Sequence, residues 1–144
     1  MIEQNLFIVV ADGQRAHVYR NSGTAQAPRL ELVTSHTQNN PRSHEQGTDK
    51  AGTAFSGPGG TRSHVSETDY HAEQERAFAK EIIDSVNNLM RDRSIKSLIW
   101  VAPPRMLHDL RHAMPHQLKD VTIREIDKDL TKHQPHEIVK LIFD

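Results

Sequence analysis

Residues 57 to 63, Gly-Pro-Gly-Gly-Thr-Arg-Ser, set bare backbone, hydroxyls and a guanidinium side by side. Glycine lets a chain approach a ligand closely, and successive N–H groups beside a cation can surround an anion. Gly57, Gly59, Gly60, Thr61 and Arg62 are therefore candidate binding residues. The Gly-Lys-Ser/Thr ending of a nucleotide-binding P-loop is missing. Upstream, Arg42 and Lys50 extend the positive charge into a sparse basic track with few acids, which suits RNA phosphates. A flexible linker that contacts nothing is the alternative for this composition. Arg105 follows Pro103-Pro104 at the end of an apolar run, where open α/β sheets bind their ligands. It either meets an anion together with Arg111 and His112, or pairs with Asp109 or packs through its aliphatic stem.

Carboxylates and histidines offer other chemistry. Asp12 follows one apolar run and Asp129 follows the last alternating segment; carboxylates at strand ends can hold a divalent metal for nuclease chemistry. No further carboxylate in a central strand completes a two-metal set, so turn-capping by Asp12 and loop or helix capping by Asp129 is the simpler expectation. Ten histidines include His108 and His112 at i,i+4, and His133 and His136 at i,i+3 beside Glu137. There is no HExxH motif, and there is no cysteine to supply a structural zinc site. Solvated surface histidines are expected, with no metal or other cofactor.

These residues need a scaffold, and hydrophobic patterning supplies its outline. Leu6 to Val10 is a continuous β-prone run closed by Ala11-Asp12-Gly13, as expected of a strand buried on both faces. Ala16 to Tyr19 and Leu30 to Val33, separated by Asn21-Ser22-Gly23-Thr24, complete an antiparallel meander. Tyr70, Phe78, Ile82, Val86 and Leu89 fall on one stripe of a helix over 67–92, with Ser66 and Asp69 resembling a capping pair. Leu98 to Ala102 reads as a second buried strand, ended by the prolines. A short helix over 104–113, an alternating strand over 121–126 and a C-terminal helix that tolerates Pro135 in its first turn follow. The order β-β-β-α-β-α-β-α predicts an α/β ribonuclease-H-like three-layer sandwich around a mixed five-stranded sheet. Trp100, inside an apolar run, is expected in the core.

The 144 residues make one domain, interrupted by a polar stretch over 38–66 in which Phe55 and Val65 are the only large hydrophobes. So little apolar surface cannot offset the entropy of ordering the stretch, which is expected to be mobile. A net charge of −1 excludes whole-molecule attraction to nucleic acid or anionic membranes. The cysteine-free composition and the lack of a signal-like or membrane-spanning start point to a cytoplasmic protein with no membrane insertion.

Taken in order, Val9-Val10-Ala11-Asp12-Gly13-x-Arg15-Ala16, Phe78-Ala79-Lys80-Glu81, Val101-Ala102-Pro103-Pro104-Arg105-x-Leu107 and Lys128-Asp129-Leu130-Thr131 resemble the bacterial host attachment proteins over nearly the whole chain. That family looks related to the middle domain of archaeal and eukaryotic peptide-chain release factors. The resemblance implies the ribonuclease-H-like fold and a loop tip that reaches RNA of the translation apparatus, in the ribosome or on tRNA. Gly59-Gly60-Thr61 stands where release factors carry Gly-Gly-Gln. Thr61 lacks the side-chain amide that orients water, so the expectation is a non-enzymatic binding module, with adhesion or protein interaction as the alternative and hydrolysis of peptidyl-tRNA or nucleic acid ranked below both. Oligomeric state is left open.

Overall fold

The computed structural model describes residues 5–24, 26–38 and 59–143, the last stretch by backbone alone over 59–68. Five strands, β1 (Leu6–Ala11), β2 (Arg15–Asn21), β3 (Leu30–Thr37), β4 (Ser97–Ala102) and β5 (Thr122–Asp127), form one mixed sheet in the order β3-β2-β1-β4-β5. β2 and β3 continue β1 as an antiparallel meander, whereas β4 and β5 run parallel to β1. The parallel members need crossovers, and helices provide them. These are α1 (Gly59–Arg93), α2 (Pro104–Ala113), α3 (His116–Val121) and, after the last strand, α4 (Pro135–Phe143).

Each strand sends alternate side chains to opposite faces, which explains the two separate cores. On one face Phe7, Val9, Val18, Leu98 and Trp100 pack with Phe78, Ile82 and Val86 of α1, Leu107 and Leu110 of α2, and Leu118 of α3. On the other, Leu6, Ile8, Val10, Tyr19, Ile99 and Val101 pack with Leu130 and with Ile138 and Ile142 of α4. β1 and β4 are therefore buried on both sides, as their unbroken apolar runs require. Trp100 is fully buried, and its Nε1 donates to Thr122 Oγ1 at 2.9 Å. The indole thus satisfies its one polar atom inside the core.

Two boundaries depart from the sequence expectation. α1 begins at Gly59 rather than near Glu67, so Ser66 lies within the helix and not at its start; the part of the expected polar loop over 59–66 is helical backbone. Its early turns lack an apolar stripe: from Asp69 to Ala77 no residue is buried, and Tyr70 is exposed rather than on the core stripe. Periodicity therefore had nothing to register there. The order also gains α3, a six-residue helix inserted before β5 that buries only Leu118. At its other end α1 stops at Ser94, whose φ of 46° places a non-glycine residue in the left-handed region used to end helices. Among the described residues no helix is long and apolar enough to cross a membrane.

Candidate functional site

Because β1, β4 and β5 are parallel, their carboxyl ends share one edge of the sheet, the edge at which open α/β folds hold ligands. Asp12 leaves β1 there, Pro103-Pro104-Arg105 leave β4, and Lys128-Asp129-Leu130-Thr131 follow β5. Asp12 closes the β1–β2 turn: its Oδ1 accepts from the backbone N–H groups of Gln14 and Arg15, both at 2.8 Å. Its Oδ2 accepts from the Thr131 hydroxyl at 2.7 Å. Asp129 Oδ1 is 3.2 Å from the same hydroxyl oxygen. A hydroxyl has one proton to give, and the shorter contact assigns it to Asp12.

The two aspartates therefore do come together, across Thr131. With three donors Asp12 caps the turn and ties it to the 128–131 segment. Among the described residues no group of three histidine, aspartate or glutamate side chains is placed to hold a metal ion. His17, on β2, meets the same segment through a hydrogen bond with the Thr131 backbone. Burial pushes its pKa below the usual histidine value and the Arg15 charge adds to the fall, against opposing contributions from Asp12 and from the Thr131 bond. Its Nδ1 is buried without a hydrogen-bond partner.

The other side of this edge is built by α1 and α2. Pro103 occupies the N-cap of α2 and Pro104 its first turn, where a missing N–H costs nothing. The turn delivers Arg105 to Glu75 of α1, with Nε 3.6 Å from Oε1. Gly13 lies beside it: a Cβ there would stand 2.7 Å from Glu75 Oε2, the far end of a side chain that can swing aside. Gln38, at the end of β3, donates its Nε2 to the Gly13 carbonyl at 2.7 Å.

A family model described as "Protein required for attachment to host cells" matches residues 7–142. The chain belongs to that family. No curated protein matches it. In this host attachment family protein, the turn after β1, the proline turn after β4 and the segment after β5 are distant in sequence yet meet at one sheet edge.

The candidate binding residues of the family member are distributed as follows. Gly59, Gly60, Thr61 and Arg62 form the first turn of α1. Gly57, Arg42 and Lys50 lie outside the described residues. Arg105 is on the carboxyl edge, two-thirds exposed and paired with Glu75 instead of Asp109; Asp109 is buried. Arg111 points elsewhere and its Nε donates to Glu125 at 2.7 Å. The His108 and His112 rings stack edge to face with centroids 4.8 Å apart, while His133 Nδ1 lies 3.4 Å from Glu137. The N–H of Gln134 donates to Glu137, holding that carboxyl below its ordinary pKa, with a smaller contribution from His133.

α1 links this edge to the Gly-rich turn. Its C-terminal end leads into β4 at the amino edge of the sheet, so its N-terminal end faces the carboxyl edge. Glu75 sits at Gly13, and residues 59–74 continue past that contact for about 24 Å. Thr131, Glu75 and His17 are the edge residues that sequence reasoning did not single out. For Thr131 the available signal was its place in Lys128-Asp129-Leu130-Thr131, one of the stretches that carry the family resemblance; for Glu75 and His17 the sequence carried none.

Proposed function

We propose that this host attachment family protein is a non-enzymatic binding module, cytoplasmic, with a ribonuclease-H-like sandwich that engages RNA of the translation apparatus, in the ribosome or on tRNA. The observation that carries the proposal is the start of α1. The first turn of this 35-residue helix is Gly59-Gly60-Thr61-Arg62 and contains no acidic residue. The first N–H groups of a helix have no partner within it and carry partial positive charge, so phosphate is the natural ligand of such an end. Arg62 in the turn and Arg42 and Lys50 upstream add cations, and exposed Arg105, paired with Glu75, stands about 24 Å along the helix at the sheet edge. The sheet order, an antiparallel meander continued by parallel strands, suits a kinship with the release-factor middle domain. Thr61 in place of glutamine and the saturated hydrogen bonding of Asp12 favour binding over hydrolysis.

Co-sedimentation of the purified protein with ribosomes, and anisotropy titration of labelled tRNA, over a salt series test this. Binding should weaken steeply with salt, and Arg62→Ala should reduce the log–log salt slope by about one. Absence of binding at low salt, or an unchanged slope in the variant, would refute it. The family's description favours a second reading, an adhesion or protein-interaction factor in host attachment. Cell fractionation that found the native protein on the outer surface would support that reading instead.

A further inference from the structure

At the opposite, amino edge of the sheet, α2, α3 and β5 border an open pocket of about 370 Å³ lined by Arg111, Met114, Lys119, Thr122 and Glu125. Its size falls within the range of small-molecule sites, and its lining is chemically one-sided. Thr122 has no proton to give an anion: its hydroxyl donates to the Leu118 carbonyl at 2.8 Å and accepts from Trp100 Nε1 at 2.9 Å. What it can add to an anion's surroundings is apolar contact. Buried Met114 supplies a second apolar surface, adaptable in shape because its side chain is unbranched. The lining also holds two cations against one carboxylate. Glu125 is taken by Arg111 Nε at 2.7 Å; the Nη groups of Arg111 have no hydrogen-bond partner among the described residues, and Lys119 has no ion pair there.

We propose that this cavity binds a small organic monoanion, a carboxylate carried on a short unbranched apolar body. The head group would take the Arg111 Nη edge and the Lys119 ammonium, and the tail would lie along Met114 and Thr122. The apolar wall argues for an organic acid over inorganic phosphate, because nothing on that side can replace the water a bare anion would lose. One arginine already half-used and one exposed lysine suit a single negative charge. The site is independent of the RNA reading, being on the other edge of the sheet.

The full chain, labelled with ¹³C at the methionine methyls, is titrated with acetate, butyrate, hexanoate and inorganic phosphate and followed by NMR. The Met114 signal, identified by its loss in Met114→Leu, should shift saturably while those of Met90 and Met106 stay in place. Affinity should rise roughly fourfold per added methylene up to the length of the cavity. Lys119→Gln, which breaks no ion pair among the described residues, should weaken hexanoate roughly tenfold while keeping the chain-length trend. The proposal is overturned by any of four results: no saturable shift at Met114, equal affinity along the acid series, phosphate binding as tightly as hexanoate, or Lys119→Gln binding like the parent.

Discussion

Thr131→Val isolates the tie between the segment after β5 and the turn after β1. Valine keeps the shape of threonine and removes only the hydroxyl that donates to Asp12 Oδ2 at 2.7 Å. A hydrogen bond to a charged acceptor contributes about 1.5–3 kcal/mol. Thr131 is buried, but Asp12 is half-buried, and water can partly replace the lost donor, so the lower bound applies: a loss of about 1.5 kcal/mol. At roughly 3 °C per kcal/mol for a chain of this size, the melting temperature should fall by about 4–5 °C. The assay is urea denaturation followed by the fluorescence of Trp100, the single tryptophan and fully buried, with an unchanged m-value required for a clean comparison. On an Asp12→Ala background the same substitution should cost clearly less, because only the longer contact to Asp129 Oδ1 at 3.2 Å is then left to the hydroxyl; the difference between the two costs is the coupling energy. A cost below about 0.5 kcal/mol in the parent, or an equal cost in both backgrounds, would refute the assignment of the hydroxyl proton to Asp12.

Two further outcomes follow from local chemistry. His17 is held below its unfolded pKa by burial and by Arg15, so the unfolded chain takes up that proton first as pH falls. The stability His17 confers is complete above its unfolded value near 6.5 and is lost as pH drops through it toward the folded value. Urea titrations at pH 7.5 and 5.5 should show His17→Gln losing less stability on acidification than the parent, and an equal loss would count against the placement of the ring. Ser94→Gly relieves a left-handed φ of 46° at the end of α1. It should raise stability by about 0.5–1 kcal/mol in thermal melts, net of the extra freedom glycine gives the unfolded chain.

Sequence patterning recovered the elements whose burial is extreme. β1 is apolar on every residue and β4 on every residue after Ser97, because helices cover both faces, and no other strand produces such a run. The mixed five-stranded sheet followed from the hairpin spacing of the first three strands and the helical patterns between the later ones. What depends on exposure was hidden. The first half of α1 is helical without burying a residue over 69–77, and hydrophobic spacing cannot register a face that does not exist. α3 was missed because one buried leucine is too little pattern. The edge was half visible: Asp12, Asp129 and Arg105 stood out by chemistry and position. Their partners did not, since Thr131 lies 119 residues from Asp12 and the Glu75–Arg105 contact exists only once two helices have packed.

Both rims of the sheet carry an irregularity. The pairing of β2 with β3 shifts between Val18 and Tyr19, and that of β4 with β5 between Leu98 and Ile99; in each case the surplus residue, Val33 or Ile123, belongs to the outermost strand. An unbroken border of free amides and carbonyls is an invitation to another chain, and a bulge withdraws it by twisting the border and halving the straight run available for zipping. Exposed Leu32 and Ile123 would otherwise make these borders sticky. Crowding many copies together should therefore leave them separate at their margins, so that contacts with other molecules are steered toward the two ends of the strands.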